Sequence, residues 1–135
     1  MTDTVEFELV SPERLLKSEP VEMVVIPGAE GDIGVLPGHS LLIATMRPGI
    51  IAIHKDGVAI EKIFISGGFA EVSPERCTVL AEEVIPISNI NKIDAEKRLK
   101  DAKAMLGKAN NQNNTFIFDK EIRTAEALIS AINQT

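Results

Sequence analysis

The chain has 135 residues, of which 44% are hydrophobic and 25% charged, and its net charge is −6. This length fits one domain, or one domain with a small appendage, and the composition is that of a soluble protein able to bury a core. The single cysteine, Cys77, excludes an intramolecular disulfide, and no apolar run reaches the ~18–20 residues of a membrane-spanning helix.

The charge is distributed unevenly along the chain. The first 90 residues carry 14 acidic and six basic side chains, whereas the last 45 carry six acidic and eight basic ones. An acidic front with a mildly basic tail argues against nucleic acid as the main partner. We therefore expect two modules with different partners, residues 1–88 and residues 89–135.

Short apolar runs, separated by turn residues every eight to twelve positions, fill the chain up to about residue 88. Val5, Phe7 and Leu9 alternate with glutamates, as in a half-buried strand. Asp56-Gly57 is a typical hairpin turn between two such runs. Further strands are predicted at 21–26, 41–46, 50–54, 58–66, 69–72 and 77–82. The pattern predicts an antiparallel β-sandwich or barrel and argues against a doubly wound nucleotide-binding fold.

After Pro86 the apolar period lengthens to that of a helix. A first stripe has the spacing i, i+4, i+7, i+11 and comprises Ala95, Leu99, Ala102 and Leu106. Asn91 is a plausible N-cap for this helix, with Asp94 as the alternative. Beyond a polar break at 107–114, a second stripe comprises Phe118, Ile122, Ala125, Ile129 and Ile132. Residues 89–135 are therefore predicted to form an antiparallel two-helix hairpin, which would be marginally stable alone.

The glycine-rich segment GAEGDIGVLPGH (28–39) is the most suggestive candidate site. It lacks the Gly-Lys-Ser/Thr ending of a phosphate-binding loop, and no helix follows it. A zinc site or a nucleophile activated by His39 would lack partners, because the chain has only two histidines and the adjacent Ser40 points to the opposite face of an extended chain. We interpret the segment as a tight strand connection with a turn at Pro37-Gly38, and we predict no catalytic and no metal-binding residue.

Several segments together resemble the epsilon subunit of the F-type ATP synthase. They are the loop ending in PGH (37–39), SGGF (66–69), VLAE (79–82) and IDAEKRLKDAK (93–103), and the similarity extends over residues 5–132. The resemblance implies a β-sandwich followed by a helix–turn–helix, in agreement with the two periodicities.

The function that this resemblance implies is that of a non-catalytic subunit of the rotor's central stalk without a cofactor of its own. Its partners would be the gamma subunit, the ring of c subunits and, transiently, the alpha/beta catalytic head. It would couple proton-driven rotation of the ring to ATP synthesis. The place implied is the cytoplasmic face of a bacterial inner membrane, reached only through the complex, and the acidic N-terminus, unlike a transit peptide, favours a bacterial source.

The resemblance also implies roles for individual residues. Asp32 and His39 match the family's contact with the c ring, and Glu30 is a nearby candidate. The C-terminal hairpin would permit rotation when folded against the sandwich. Extended along gamma, it would oppose ATP hydrolysis by contacting acidic segments of the head. The basic residues available for that contact are Lys97, Arg98, Lys100, Lys103, Lys108 and Arg123.

Some family members bind ATP on the folded hairpin through an Ile/Leu-Asp-x-x-Arg-Ala motif and arginines of the second helix. Ile93 and Asp94 match that motif, but Lys97 replaces its arginine and Arg98 comes one residue late. A lysine cannot make the planar, bidentate contact of an arginine, so we expect ATP binding to be weak or absent.

Two other classes of function are open from the residues alone. One is a free-standing adaptor whose acidic sandwich binds an unrelated partner through the 28–39 loop. The other is a nucleotide-dependent enzyme, which the missing loop lysine and the missing pair of acid–base carboxylates disfavour.

Overall fold

The protein is described by a computed structural model that covers residues 3–108 and 112–133. The chain divides after Pro86 into two compact units, Met1–Pro86 and Ile87–Thr135, slightly before the boundary expected after residue 88. The first unit is a β-sandwich of ten strands and the second contains two long helices. The predicted fold class, a β-sandwich followed by a two-helix hairpin, is confirmed.

The strands of the first unit form one continuous hydrogen-bonded sheet that folds over on itself. Their bounds are β1 (Val5–Val10), β2 (Leu15–Val21), β3 (Met23–Gly28), β4 (Gly31–Val35), β5 (Leu42–Met46), β6 (Gly49–Lys55), β7 (Val58–Ile65), β8 (Gly68–Val72), β9 (Arg76–Ala81) and β10 (Val84–Pro86). The order across the sheet is β10-β7-β6-β3-β5-β8-β9-β1-β2, and β4 pairs with β3 alone.

The strand prediction was incomplete in three respects. The strand expected at 21–26 is two strands, because Val21 ends β2 and Met23 begins β3. β2 itself was missed, since it contains Pro20, and a proline is tolerated in a strand at the edge of a sheet. Finally, β1 pairs with β9 in parallel, so the sandwich is not wholly antiparallel.

The core of the sandwich is built from the inward-facing half of each strand. Val5, Phe7 and Leu9 are fully buried while the glutamates between them face outwards, which confirms the predicted alternation. Cys77 on β9 is also fully buried, and burial raises the pKa of its thiol to about 12. A neutral, enclosed thiol is a small apolar core group, as expected from the sequence.

A lysine links β2 to β7, two strands that are distant in the order of the sheet. The Nζ of Lys17 lies 2.9 Å from a carboxylate oxygen of Glu61 and 3.3 Å from one of Glu19. Burial alone lowers the pKa of Lys17, but the hydrogen bonds and charges of the two glutamates outweigh it and raise the pKa above 10.5. The stabilisation from these contacts is therefore fully present at neutral pH and is lost only as the pH rises beyond that value.

The segment at 66–69 is a close crossing of backbones. Gly68, the first residue of β8, pairs with Met46 of β5 on one side and with Ala81 of β9 on the other. Its φ is +144°, and a Cβ built on it would collide with the carbonyl oxygen of Leu80. Only a glycine fits this position without displacing β9.

The second unit begins with a short 3₁₀ helix, Ile87–Asn89, followed by α1 (Lys92–Gly107) and α2 (Gln112–Asn133). Asn91 is the N-cap of α1, since its side chain accepts hydrogen bonds from the backbone N–H groups of Ile93 and Asp94 at 2.8 and 3.4 Å. α2 begins earlier than expected, within the predicted polar break. Residues 109–111 of that break lie outside the described part of the chain.

The predicted apolar stripes of the helices are confirmed in outline. Ala95 and Ala102 of α1 and Ala125 of α2 are buried. The distal part of the α2 stripe is shifted by one residue, since Leu128 and Ala131 are the buried side chains there. The sequence placed Ile129 and Ile132 in those positions, and both are half-buried.

Candidate docking surfaces

The first half of the glycine-rich segment is the tip of the β3–β4 hairpin. Gly28 pairs with Gly31, so Ala29 and Glu30 alone form the connecting turn. Glu30 is exposed at this tip. Among residues 3–108 and 112–133, none forms a hydrogen bond or ion pair with its carboxylate.

Asp32 lies one position further along β4 and is engaged by an arginine that the sequence did not single out. Arg47, immediately after β5, donates from Nη2 to a carboxylate oxygen of Asp32 and from Nη1 to the carbonyl oxygen of Gly28, both at 2.6 Å. The Arg47 backbone N–H donates to the carbonyl of Pro27 at 3.0 Å. The Asp32 side chain nevertheless remains 61% exposed, so it lies at the surface rather than in the core.

A shallow groove of about 530 Å³ separates this hairpin tip from β5. Both predicted acidic contact residues, Glu30 and Asp32, line it, together with residues 42–45 of β5. His39 is not among the lining residues. The structure therefore brings two of the three predicted contact residues together and places the third in a separate turn.

That separate turn is the PGH motif in the connection between β4 and β5. Gly38 has a φ of +84°, and its N–H donates to the carbonyl of Pro74 at 2.8 Å, while the His39 N–H donates to Leu36 at 3.2 Å. Nδ1 of the half-buried His39 lies 2.7 Å from the carbonyl oxygen of Ser40, to which an Nδ1–H tautomer donates. The turn at Pro37-Gly38 is thus confirmed, and the imidazole faces a backbone carbonyl rather than a catalytic partner.

Several exposed apolar side chains lie on the outer side of three neighbouring strands, β5, β8 and β9. Phe69 on β8 lies opposite Leu80 on β9, and it is diagonal to Ile43 on β5. These three side chains and the adjacent Leu41 are exposed by 47–80%, although all four are large and apolar. Contiguous exposed apolar side chains are common where a protein contacts a partner. We call this set, Leu41, Ile43, Phe69 and Leu80, the apolar face.

The six basic residues assigned to the helices differ in their surroundings. The four lysines are exposed and form no ion pair within the described residues; three lie on α1 and the last is its C-cap: Lys97, Lys100, Lys103 and Lys108. Arg98 instead holds Glu121 of α2, with Nε and Nη2 donating to the two carboxylate oxygens. Arg123 pairs with Asp119 one turn earlier on α2, at 3.3 Å.

The region matching the family's ATP motif is poorly suited to a polyphosphate. A groove of about 390 Å³ between the helices contains three acids and two bases among its lining residues: Asp94, Lys97, Arg98, Asp101, Ala102, Met105, Phe118 and Glu121. Ile93 is 75% exposed and is not part of this lining. Since Glu121 occupies the fork of Arg98, weak or absent ATP binding remains our prediction.

Comparison with known proteins identifies the family. Residues 4–87 match the family described as "ATP synthase, Delta/Epsilon chain, beta-sandwich domain". The ATP synthase epsilon chain of Rhodospirillum rubrum is 46% identical over 131 residues, which cover 97% of this chain and 98% of the relative. That of Paramagnetospirillum magneticum is also 46% identical, over 98% of this chain and 99% of the relative. The chain belongs to the ATP synthase epsilon chain family.

Solved structures of ATP synthases contain chains with the same fold. A chain in the cryo-EM structure of the Euglena gracilis mitochondrial ATP synthase, OSCP/F1/c-ring, superposes with a TM-score of 0.82 at 26% identity, covering 98% of this chain and 83% of that one. A chain of the Tetrahymena thermophila mitochondrial ATP synthase central stalk/c-ring has a TM-score of 0.68 at 12% identity, with coverages of 95% and 96%, which shows the shared fold. Membership of the epsilon chain family sets aside the interpretation of the chain as an unrelated adaptor.

Two further properties of the described residues bear on membranes and metals. None of the described helices is long and apolar enough to cross a membrane. Within the same residues there is no cluster of three or more histidine, cysteine, aspartate or glutamate side chains that could hold a metal ion.

Sequence reasoning missed Arg47 and the apolar face. Arg47 reaches the β3–β4 hairpin only through the folding of the sheet, and nothing in its local sequence indicates that contact. The apolar face could have been predicted from the sequence. Ile43, Phe69 and Leu80 each stand on the outward half of an alternating strand, where a solvated sandwich has polar residues.

Proposed function

We propose that this epsilon chain is a non-catalytic subunit of the central stalk, which couples rotation of the c ring to ATP synthesis in the catalytic head. The observation that carries the proposal is the apolar face on a member of this family. The buried core of the sandwich does not include Leu41, Ile43, Phe69 or Leu80, and all four remain exposed. We assign the gamma subunit as the partner that contacts them.

The tip of the β3–β4 hairpin and the PGH turn would form the second contact, with the polar loops of the c ring. Glu30 and Asp32 present carboxylates at the tip, and His39 offers an imidazole from the next turn. Such a contact between exposed polar groups is small and wet, and its strength depends on salt. The chain would then be held at the cytoplasmic face of a bacterial inner membrane as a peripheral subunit, through the complex alone.

Replacing Glu30, Asp32 and His39 together by alanine is expected to weaken attachment of the catalytic head to membranes. We expect a roughly tenfold or larger rise in the dissociation constant for rebinding of the head to stripped membranes, because all three polar groups predicted for this contact are removed. Copurification of the variant chain with gamma should be unchanged. As a control, Glu13, exposed in the β1–β2 turn, is replaced by alanine. Unchanged rebinding of the triple variant would contradict the c-ring contact.

For the C-terminal unit we propose an inhibitory role in ATP hydrolysis. The hairpin is a compact unit of its own, and its four exposed lysines are available for acidic segments of the alpha/beta head. Arg98 and Arg123 are engaged within the hairpin, so the lysines would make the first contacts.

Deleting residues 91–135 should leave assembly intact and raise ATP hydrolysis by the complex. Assembly is expected to survive because the buried cluster of the sandwich is built within residues 5–81. Replacing the four lysines by glutamine, in the full-length chain, is the matched variant that keeps the hairpin and removes its charge. Steady-state ATPase assays of the membrane-bound enzyme measure ATP hydrolysis for the deletion and for the four-lysine variant. If hydrolysis does not change on deletion, the inhibitory role is wrong.

A further inference from the structure

Four hydrogen bonds tie the β3–β4 hairpin tip to the end of β5. The Ala29 N–H donates to the carbonyl of Thr45 at 2.9 Å, and the Arg47 N–H donates to that of Pro27 at 3.0 Å. The Arg47 guanidinium adds the other two, to the Gly28 carbonyl and to Asp32. One side chain therefore bridges both strands of the hairpin next to the turn that carries Glu30.

This geometry separates the roles of the two acidic residues at the tip. The Asp32 carboxylate already has a cationic partner within the chain, which occupies one of its two oxygens before any surface approaches. The Glu30 carboxylate has no such partner in the described residues and stands at the exposed turn. The two acids lie on the same groove, but only Glu30 presents an uncompensated charge.

Resting on the proposed contact with the c ring, we propose that Arg47 is the positioning residue of that contact and that Glu30 is the group that meets the ring. Arg47 holds the hairpin tip in one orientation through Gly28 and Asp32. Asp32 then acts through Arg47. The group facing Glu30 on the ring is a hydrogen-bond donor, either a cationic side chain or an amide, because an ionised carboxylate only accepts hydrogen bonds.

The decisive variant is Arg47→Gln, because the two possible roles of Asp32 predict opposite results for it. The substitution releases the Asp32 carboxylate. If Asp32 were the direct ligand of the ring, its release would leave rebinding of the head unchanged or strengthen it. If Arg47 positions the tip, rebinding weakens, and we expect a roughly three- to tenfold rise in the dissociation constant. Arg14→Gln, which removes the same charge from the exposed β1–β2 turn, is the matched control.

A double-mutant cycle tests whether Asp32 works through Arg47. Asp32→Asn and Arg47→Gln are each expected to weaken rebinding, and the double variant should be no weaker than the worse single variant. Glu30→Gln should weaken rebinding independently of both and lower its dependence on salt, as loss of a charged contact does. Arg47→Lys keeps a charge beside Asp32 and should restore part of the affinity.

The outcomes separate this inference from the proposed function. Weakened rebinding in Glu30→Gln with unchanged or tighter rebinding in Arg47→Gln overturns the positioning role and leaves the c-ring contact in place. Unchanged rebinding in all three single variants overturns the contact itself. Copurification with gamma and the thermal unfolding temperature are measured in parallel, and a loss of either in Arg47→Gln would show a merely structural role and overturn the proposal.

Discussion

Replacing Gly68 by alanine is expected to lower the free energy of unfolding of the sandwich by roughly 2–5 kcal/mol. Two effects add. The φ of +144° is one that residues with a side chain rarely adopt, and the new Cβ would collide with the carbonyl oxygen of Leu80. Because Gly68 pairs with both β5 and β9, the collision cannot be relieved by moving one flexible side chain.

The reactivity of the buried cysteine measures this change in the free energy of unfolding. The chain has no tryptophan or tyrosine, but its single thiol, Cys77, is fully buried in β9 and reacts with thiol reagents only when the sandwich opens. Labelling of Cys77 as a function of urea concentration therefore reports unfolding of this unit. With a slope of about 1–2 kcal/mol per molar, the midpoint for Gly68→Ala should fall by roughly 1–5 M.

Gly34 is the matched control for this substitution. It lies in β4 without a positive φ, and a Cβ there would meet nothing within 4 Å. Gly34→Ala should therefore change the unfolding free energy by no more than about 0.5–1 kcal/mol, and in the stabilising direction if at all. Equal midpoints for the two variants would contradict the backbone argument.

The sequence was a good guide to what depends on local periodicity. The alternation of Val5, Phe7 and Leu9 and the helical spacing of Ala95 and Ala102 record which side of an element is buried, and the structure agrees. The N-cap at Asn91 is equally local. Such features follow from residues that are neighbours in the chain.

What the sequence could not supply depends on residues that are distant in the chain. The parallel pairing of β1 with β9 joins segments about 70 positions apart and leaves no local signal. β2 was missed because Pro20 and its polar neighbours obscure an edge strand. For the same reason the sequence did not indicate that Arg47 is the partner of Asp32, and Asp32 was predicted as a docking group without a partner in the chain.

The glycine-rich segment 28–39 contains features of both kinds, some that the sequence predicts and some that it does not. The sequence alone indicated that the segment lacks the features of a phosphate-binding loop, and it predicted the turn at Pro37-Gly38. The division of the segment into a hairpin tip with Glu30 and Asp32 and a separate turn with His39 was not predicted, since strand β4 runs through the middle of the motif.

Replacing Ile43 and Phe69 by threonine is expected to weaken association of this chain with gamma roughly thirtyfold per site, the effect of losing about 2 kcal/mol of apolar burial. Threonine is β-branched and suits a strand, and the two side chains that it replaces are 78% and 59% exposed. Folding should therefore be unaffected, and Cys77 labelling in urea should show the same midpoint as the unsubstituted chain.

Ile60→Thr is the control that separates a specific surface from general surface hydrophobicity. Ile60 is 60% exposed, as much as Phe69, but it lies on β7, far from β8 in the order of the sheet. Its replacement should leave the affinity for gamma, measured by titration of gamma with the purified chain, within about twofold of the original.

If Ile60→Thr weakens association as much as Phe69→Thr, the contact with gamma is not confined to the apolar face. If neither does, gamma binds elsewhere, and the exposure of Leu41, Ile43, Phe69 and Leu80 needs another partner. A loss confined to Ile43 and Phe69 would place gamma on β5 and β8, and since Arg47 directly follows β5, that strand would serve both proposed contacts.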